Sequence, residues 1–105
     1  MMLEYKLEQN SNTETTLFLK GNILGGADNF EEIDSSLQSQ IEENIQVCVI
    51  NLKEVEYMDS GGLGLLLKLL TKFRNVGGEV YLEEVSESVK KLLLITKLNS
   101  IFEIK

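Results

Sequence analysis

The run Gln46-Val47-Cys48-Val49-Ile50-Asn51 limits the fold more than any other segment. Four apolar residues follow one another without alternation, so the segment reads as a central strand covered on both faces. Other strand candidates lie on either side of it in sequence. Leu3, Tyr5 and Leu7 alternate with Glu4, Lys6 and Glu8, the pattern of an edge strand over residues 3–9. Asn10-Ser11-Asn12 reads as a turn, and Thr15-Thr16-Leu17-Phe18-Leu19-Lys20 as a strand that returns from it in a hairpin. Glu79-Val80-Tyr81-Leu82-Glu83 is a further strand, and Ile101-Phe102-Glu103-Ile104 a short last one.

Helical spacing fills the gaps. A helix is predicted from Ala27, with Phe30, Ile33, Leu37 and Ile41 inward, Glu31, Glu32, Asp34, Gln38 and Glu42 toward water, and an end at Glu43-Asn44. Leu52 through Met58 reads as a connection. A second helix is predicted over Leu63–Phe73, with Lys68, Thr71, Lys72 and Arg74 on its wet face, and Asn75-Val76-Gly77-Gly78 stopping it. Ser86 is expected to cap a third, with Val89, Leu92, Leu93 and Ile95 inward. Strands and helices that alternate in this way build an α/β layer, and short connections favour parallel neighbours. At 105 residues the chain accommodates one domain, residues 1–105.

Several chemistries are excluded by residue type. Histidine is absent, which removes the commonest general base and the commonest metal ligand. One cysteine remains, so zinc sites of Cys and His, Ser-His-Asp triads and Cys-His pairs cannot form within this chain. Cys48 sits in the apolar run and is expected to be a buried thiol. No cofactor or metal is expected. Ten basic residues against seventeen acidic ones leave a net charge of −7, which repels nucleic acid and anionic lipid and suits a partner with a basic patch. The apolar stretches are too short for a membrane span. The start Met1-Met2-Leu3-Glu4-Tyr5-Lys6 lacks the pattern of a signal peptide, so a cytoplasmic location is expected.

One segment carries a chemical possibility: Tyr57-Met58-Asp59-Ser60-Gly61-Gly62-Leu63-Gly64. It sets a hydroxyl where a helix begins, with Ser60 or Asp59 supplying the cap oxygen. A capping serine alone would explain the position, but three features go beyond capping. The helix opens with glycines, each costing about 1 kcal/mol relative to alanine. Those glycines leave Ser60 unshadowed. The leucines Leu63, Leu65, Leu66, Leu67, Leu69 and Leu70 wrap beyond a single stripe, as they would for a docking face or for a sandwiched helix. A phosphate on Ser60 would add roughly −1.5 to −2 charges. The helix start would favour it by about 0.3–1 kcal/mol. A partner carboxylate about 5 Å from one unit of that charge would feel roughly 3 kcal/mol of repulsion at an effective dielectric near 20, about 150-fold in affinity.

With these residues in view, the chain resembles a STAS domain, specifically the bacterial anti-sigma factor antagonists. The resembling pieces are Leu19-Lys20-Gly21-Asn22-Ile23-Leu24, Val47-Cys48-Val49-Ile50-Asn51-Leu52, Tyr57 through Gly64, and Val85-Ser86-Glu87-Ser88-Val89-Lys90-Lys91-Leu92. The resemblance implies a small STAS-like α/β fold, a mixed, mostly parallel sheet with helices mainly on one side. It implies that Ser60 receives a phosphate and that Asp59 orients the hydroxyl or holds the loop. The docking surface implied comprises Asn22, Leu24, Gly25, Gly26, Asp59, Gly61, Gly62 and Leu63. The implied partners are an anti-sigma factor that is itself a serine kinase, and a PP2C-type phosphatase. Unphosphorylated antagonist would hold the kinase and free the sigma factor; the phosphorylated form would let go. The chain would be a substrate and a partner, not an enzyme. Two positions depart from the family pattern: Gly61, where a second Ser or Thr is frequent, and Leu24, where Asp commonly follows the loop's apolar residue.

Two other readings belong beside it. One is a non-switching STAS-like interaction subunit of an ABC transporter complex. The other is an enzyme or nucleotide site, built on Glu54, Glu56 and Asp59 or on Gly25, Gly26, Gly61 and Gly62. An acidic loop explains the first set as well, and the second lacks the lysine of a phosphate-binding loop.

Overall fold

The computed structural model describes residues 2–105. Its elements are β1 (Glu4–Gln9), β2 (Glu14–Lys20), α1 (Phe30–Glu42), β3 (Val47–Glu54), α2 (Ser60–Arg74), β4 (Glu79–Glu83), α3 (Glu87–Ile95) and β5 (Glu103–Ile104). The five strands form one sheet in chain order, β1-β2-β3-β4-β5. β1 and β2 are an antiparallel hairpin; β3, β4 and β5 each add in parallel, with one helix in every crossover. The α/β reading, the edge hairpin and the central position of β3 therefore hold.

The pleat decides which residues meet the helices. Leu17 on β2, Ile50 on β3 and Leu82 on β4 stand abreast in register and are fully buried. Cys48, Leu52 and Val80 share their face by alternation and join one core with Ile33 and Leu37 of α1, Leu66, Leu69 and Phe73 of α2, and Val89 and Leu93 of α3. The opposite parity carries Lys6, Phe18, Asn51, Tyr81 and Glu83. This corrects the expectation that β3 is covered on both faces. Val49 is buried although it lies outside the helix-side core, because Thr16 and Tyr81 flank it directly in the sheet. Lysine stems shield part of that open face: Lys6 Nζ lies 5.7 Å from the Phe18 ring and Lys105 Nζ 5.0 Å from the Tyr81 ring.

Boundaries shift where tertiary bonds compete with local signals. α1 starts at Phe30 rather than Ala27, because Asn29 turns its amide away from the helix. Its Oδ1 accepts from Leu3 N at 2.8 Å and its Nδ2 donates to Leu3 O at 2.7 Å, fastening the entry to β1. β3 continues to Glu54, three residues past the predicted end, because β2 offers a partner beyond its irregularity at Phe18/Lys20. Asp34 and Lys72, expected in water, face each other across α1 and α2 at 3.3 Å, and Lys72 Nζ also donates to Gln38 Oε1 at 2.9 Å. Ile95, expected inward, is 72% exposed, since the inward stripe of α3 is Val89 and Leu93. Ser86 caps α3 as predicted, accepting from Val89 N at 3.2 Å. Among the described residues no helix is long and apolar enough to cross a membrane.

Candidate functional site

α2 begins three residues earlier than its apolar pattern suggests, at Ser60. Asp59 is the N-cap, with extended backbone (φ −99°, ψ −176°), and its Oδ1 accepts from Gly62 N at 2.8 Å. Ser60 is thereby freed from capping. It occupies the first helical position, exposed, and among the described residues no hydrogen bond engages its hydroxyl.

The loop after β2 is stitched onto this helix start. Ile23 N donates to Tyr57 O at 3.0 Å, Asp59 N donates to Ile23 O at 3.2 Å, and Ile23 forms a parallel bridge with Met58. Gly25 N then donates to the Asp59 carboxylate, at 2.9 Å to Oδ1 and 3.2 Å to Oδ2. One side chain ties both segments together. The hydrogen bond from Gly62 N, with those from Gly25 and Gly61, holds the Asp59 carboxyl below its ordinary value, so it is a carboxylate at neutral pH.

Close approach explains the glycines. A Cβ on Gly61 would run into the Cα of Gly25, and one on Gly62 into the carbonyl oxygen of Ile23. Gly25 thus occupies the room that a side chain at position 61, where the resemblance implied Ser or Thr, would take.

The predicted docking residues divide into two groups. Asn22, Gly25, Gly26 and Gly61 are exposed, like Ser60 beside them, and Leu24 and Asp59 half-buried, so these can present a surface. Gly62 and Leu63 cannot. Both are buried, Leu63 at 4% exposure, because the first turn of α2 packs on the Ile23 loop and the core. The same correction covers the leucine stripe: Leu65, Leu66, Leu69 and Leu70 are buried and only Leu67 is half-exposed, so the sandwiched-helix alternative is the right one. Of the proposed acidic set, Glu54 and Glu56 are exposed, while the Asp59 oxygens serve Gly62 and Gly25.

Residues remote in sequence complete the site. Tyr57, Met58, Asp59 and Ser60 form one wall of a groove of about 460 Å³, and Ser88, Lys91, Leu92 and Ile95 the other. The signal that could have found this wall was the α3 periodicity: Val89 and Leu93 inward place Lys91 and Ile95 outward. A larger hollow, of about 700 Å³, opens elsewhere among Lys6, Phe18, Lys20, Asn51, Lys53 and Glu83; there Asn51 Nδ2 is spent on Glu83 Oε2 at 2.8 Å.

Comparison with known proteins follows the same lines. The family model of the STAS domain matches residues 4–105. The anti-sigma-B factor antagonist of Staphylococcus aureus (strain NCTC 8325 / PS 47) is 30% identical over 100 residues, covering 90% of this chain and 93% of the relative. The anti-sigma-B factor antagonist of Bacillus subtilis (strain 168) is 38% identical over 61 residues, covering 58% of this chain and 53% of that one, so the match spans about half of that relative's length. Among solved structures, the anti-sigma factor antagonist SpoIIAA in its unphosphorylated form superposes with a TM-score of 0.79 at 22% identity, covering 97% of this chain and 88% of that one. The Bacillus SpoIIAA in its phosphorylated form gives 0.74 at 20% identity, covering 97% and 91%. At these identities the structural likeness speaks to the fold.

Proposed function

Because the chain belongs to the STAS domain family, we propose that it is an anti-sigma factor antagonist whose binding is controlled by phosphate on Ser60. The observation that carries this reading is the division of labour at the start of α2. Asp59 does the capping, so the neighbouring hydroxyl is exposed and has no structural duty. A group can be added to it and removed without breaking a hydrogen bond of the fold.

In this reading the partner is an anti-sigma factor that is also a serine kinase, and a PP2C-type phosphatase resets the switch in the cytoplasm. The unmodified chain presents Asn22, Leu24, Gly25, Gly26, Asp59, Ser60 and Gly61 as one surface, held together by the Asp59 carboxylate. The chain itself catalyses nothing. A dianion on Ser60 sits at the positive end of α2, where the fold tolerates it. A docked partner has no comparable compensation and is repelled or must desolvate the phosphate. The chain's shape stays the same while its affinity falls.

The test is phosphate incorporation from ATP by the cognate kinase, followed by intact mass. One phosphate is expected on the wild-type chain and none on Ser60→Ala, with binding of the unmodified chain lost on modification. Continued phosphorylation of the alanine variant would overturn the assignment of Ser60. Stable co-purification with an ATP-binding cassette protein, whatever the state of Ser60, would favour the non-switching role.

A further inference from the structure

The sheet ends on one side in a six-residue strand, β1, and on the other in the two-residue β5. β1 pairs only with β2, so half of its backbone groups turn away from the sheet. Which half is fixed by the register. Continued by two residues, the pairing of Glu8 with Thr16 sets Asn10 opposite Glu14, and Asn10 N donates to Glu14 O at 2.8 Å. By alternation Glu4, Lys6 and Glu8 bond to β2, while Leu3, Tyr5, Leu7 and Gln9 point outward. Leu3 confirms the parity: its N–H and C=O are both taken by the Asn29 side chain, at 2.8 and 2.7 Å. That amide closes the edge at residue 3. Among the described residues no bond outside the sheet engages the backbone of Tyr5, Leu7 or Gln9.

We propose that this open edge pairs antiparallel with β1 of a second copy, Leu7 opposite Leu7, joining two sheets across a two-fold axis. The side chains select that register. With Leu7 opposite itself, Tyr5 meets Gln9 of the second copy, and three pairs each exchange two backbone bonds. Lys6 then stands opposite Glu8 of the second copy, twice, and Glu4 opposite Asn10. Within each chain Lys6 Nζ already lies 3.5 Å from Glu8 Oε2, so the four charges form a square in which every neighbour is opposite in sign. Sliding by one residue to either side sets Lys6 against Lys6 and Glu4 against Glu8, or Glu8 against Glu8. Centring on Tyr5 keeps opposite charges together but needs the Leu3 groups that Asn29 holds.

The other charges near the edge do not reverse this choice. α1 flanks it on the helix side, with Ser36 Oγ 3.2 Å from Tyr5 Oη. Ser39 and Gln40 share that side of α1 and are neutral, while Glu32 and Glu43 stand exposed toward its two ends. The −7 of each chain opposes association at long range, but screening confines it to about 8 Å at physiological salt. No residue of the surface around Ser60 lies on Tyr5–Gln9, so each copy keeps that surface free and the pair presents two of them. The inference stands independently of the reading given for Ser60.

The test is sedimentation equilibrium of the purified full chain at physiological salt, from about 1 µM to about 1 mM. A dimer that dissociates on dilution is expected. Lys6→Glu and Glu8→Lys each set like charges opposite twice and should weaken it at least tenfold, with thermal unfolding close to that of the wild type because both positions are exposed. Mixing the two variants should restore association, since Glu at 6 and at 8 in one chain then faces Lys at 8 and at 6 in the other. Amide exchange gives the local readout: Tyr5, Leu7 and Gln9 should gain at least tenfold protection on concentration, while Lys6 and Glu8 are protected throughout. A monomer up to about 1 mM would overturn the inference. So would a dimer that neither variant weakens or that mixing does not restore, because its contact lies elsewhere. Protection of the outward amides that appears only when the Ser60 kinase is added would give the edge to that partner and overturn the second copy.

Discussion

Two glycines three residues apart on α2 should respond to the same substitution with opposite signs. Gly64 is exposed, and a Cβ there would meet nothing within 4 Å. Gly64→Ala should therefore show only the propensity difference, a gain of about 1 kcal/mol, or roughly 4–8 °C in Tm for a domain of this size. Gly61→Ala receives part of the same gain, but its Cβ falls on the Cα of Gly25. Backbone cannot rotate out of the way as a side chain can. Gly25 is held by its N–H to Asp59 at 2.9 Å, and the residues before it by the Ile23 bonds to Tyr57 and Asp59. The loop and helix must separate, at a cost of about 1–3 kcal/mol beyond the propensity gain. The two variants should then differ by about 2–4 kcal/mol in urea unfolding, with Gly61→Ala the less stable. Amide exchange supplies a local check: Gly25 N–H should lose protection in Gly61→Ala and keep it in Gly64→Ala. Equal stability of the two variants, with Gly25 still protected, would refute the close approach as the reason for Gly61.

Three further outcomes are expected. Burial pushes the Cys48 thiol up to about 12, so native protein should resist thiol reagents at pH 8 and react only when unfolded. Its folded value lies above the ordinary 9.0, so this residue's contribution to stability is full below pH 9 and declines as pH rises toward 12; Cys48→Ala should remove that decline. Asp59 has the opposite sign. Its depressed value makes its contribution full above the ordinary 3.8 and lost as pH falls through the lower folded value, so Asp59→Asn should flatten that acid limb in pH-dependent unfolding. Lys72→Met should cost about 1–3 kcal/mol, because Asp34, 16% exposed and with its Oδ1 already lacking a partner among the described residues, loses its cation; Asp34→Asn combined with Lys72→Met should recover part of that in a double-mutant cycle.

The order of elements was legible because hydrophobic period is a local property. Leu3, Tyr5 and Leu7 show period two; Ile33 and Leu37 show a helical period; Val47 to Ile50 show neither and mark the centre of the sheet. The errors fall where local patterns admit two tertiary answers. An unbroken apolar strand can be buried by helices on both faces, or by one helical layer and close sheet neighbours, as Val49 is. A helix rich in leucine can be sandwiched or can dock a partner, and nothing within the segment 63–70 separates these. Asp34 and Lys72 each look solvated along their own helix, and only the packing of α1 on α2 pairs them.

The site divides along the same line. The sequence alone marked Ser60 as the residue of interest, since Asp-Ser-Gly-Gly before an apolar run defines a helix start whatever the rest of the chain does. It left open which oxygen caps that helix. Only the folded structure assigned the cap to Asp59, pressed Gly25 against Gly61, turned Gly62 and Leu63 inward, and set Lys91 and Ile95 beside a serine some thirty residues earlier in the chain. The reason is the range of the forces. Capping preference and hydrophobic period act over a turn or two of backbone. Close approach and shared grooves depend on segments that meet only after β2, α2 and α3 have packed on one sheet.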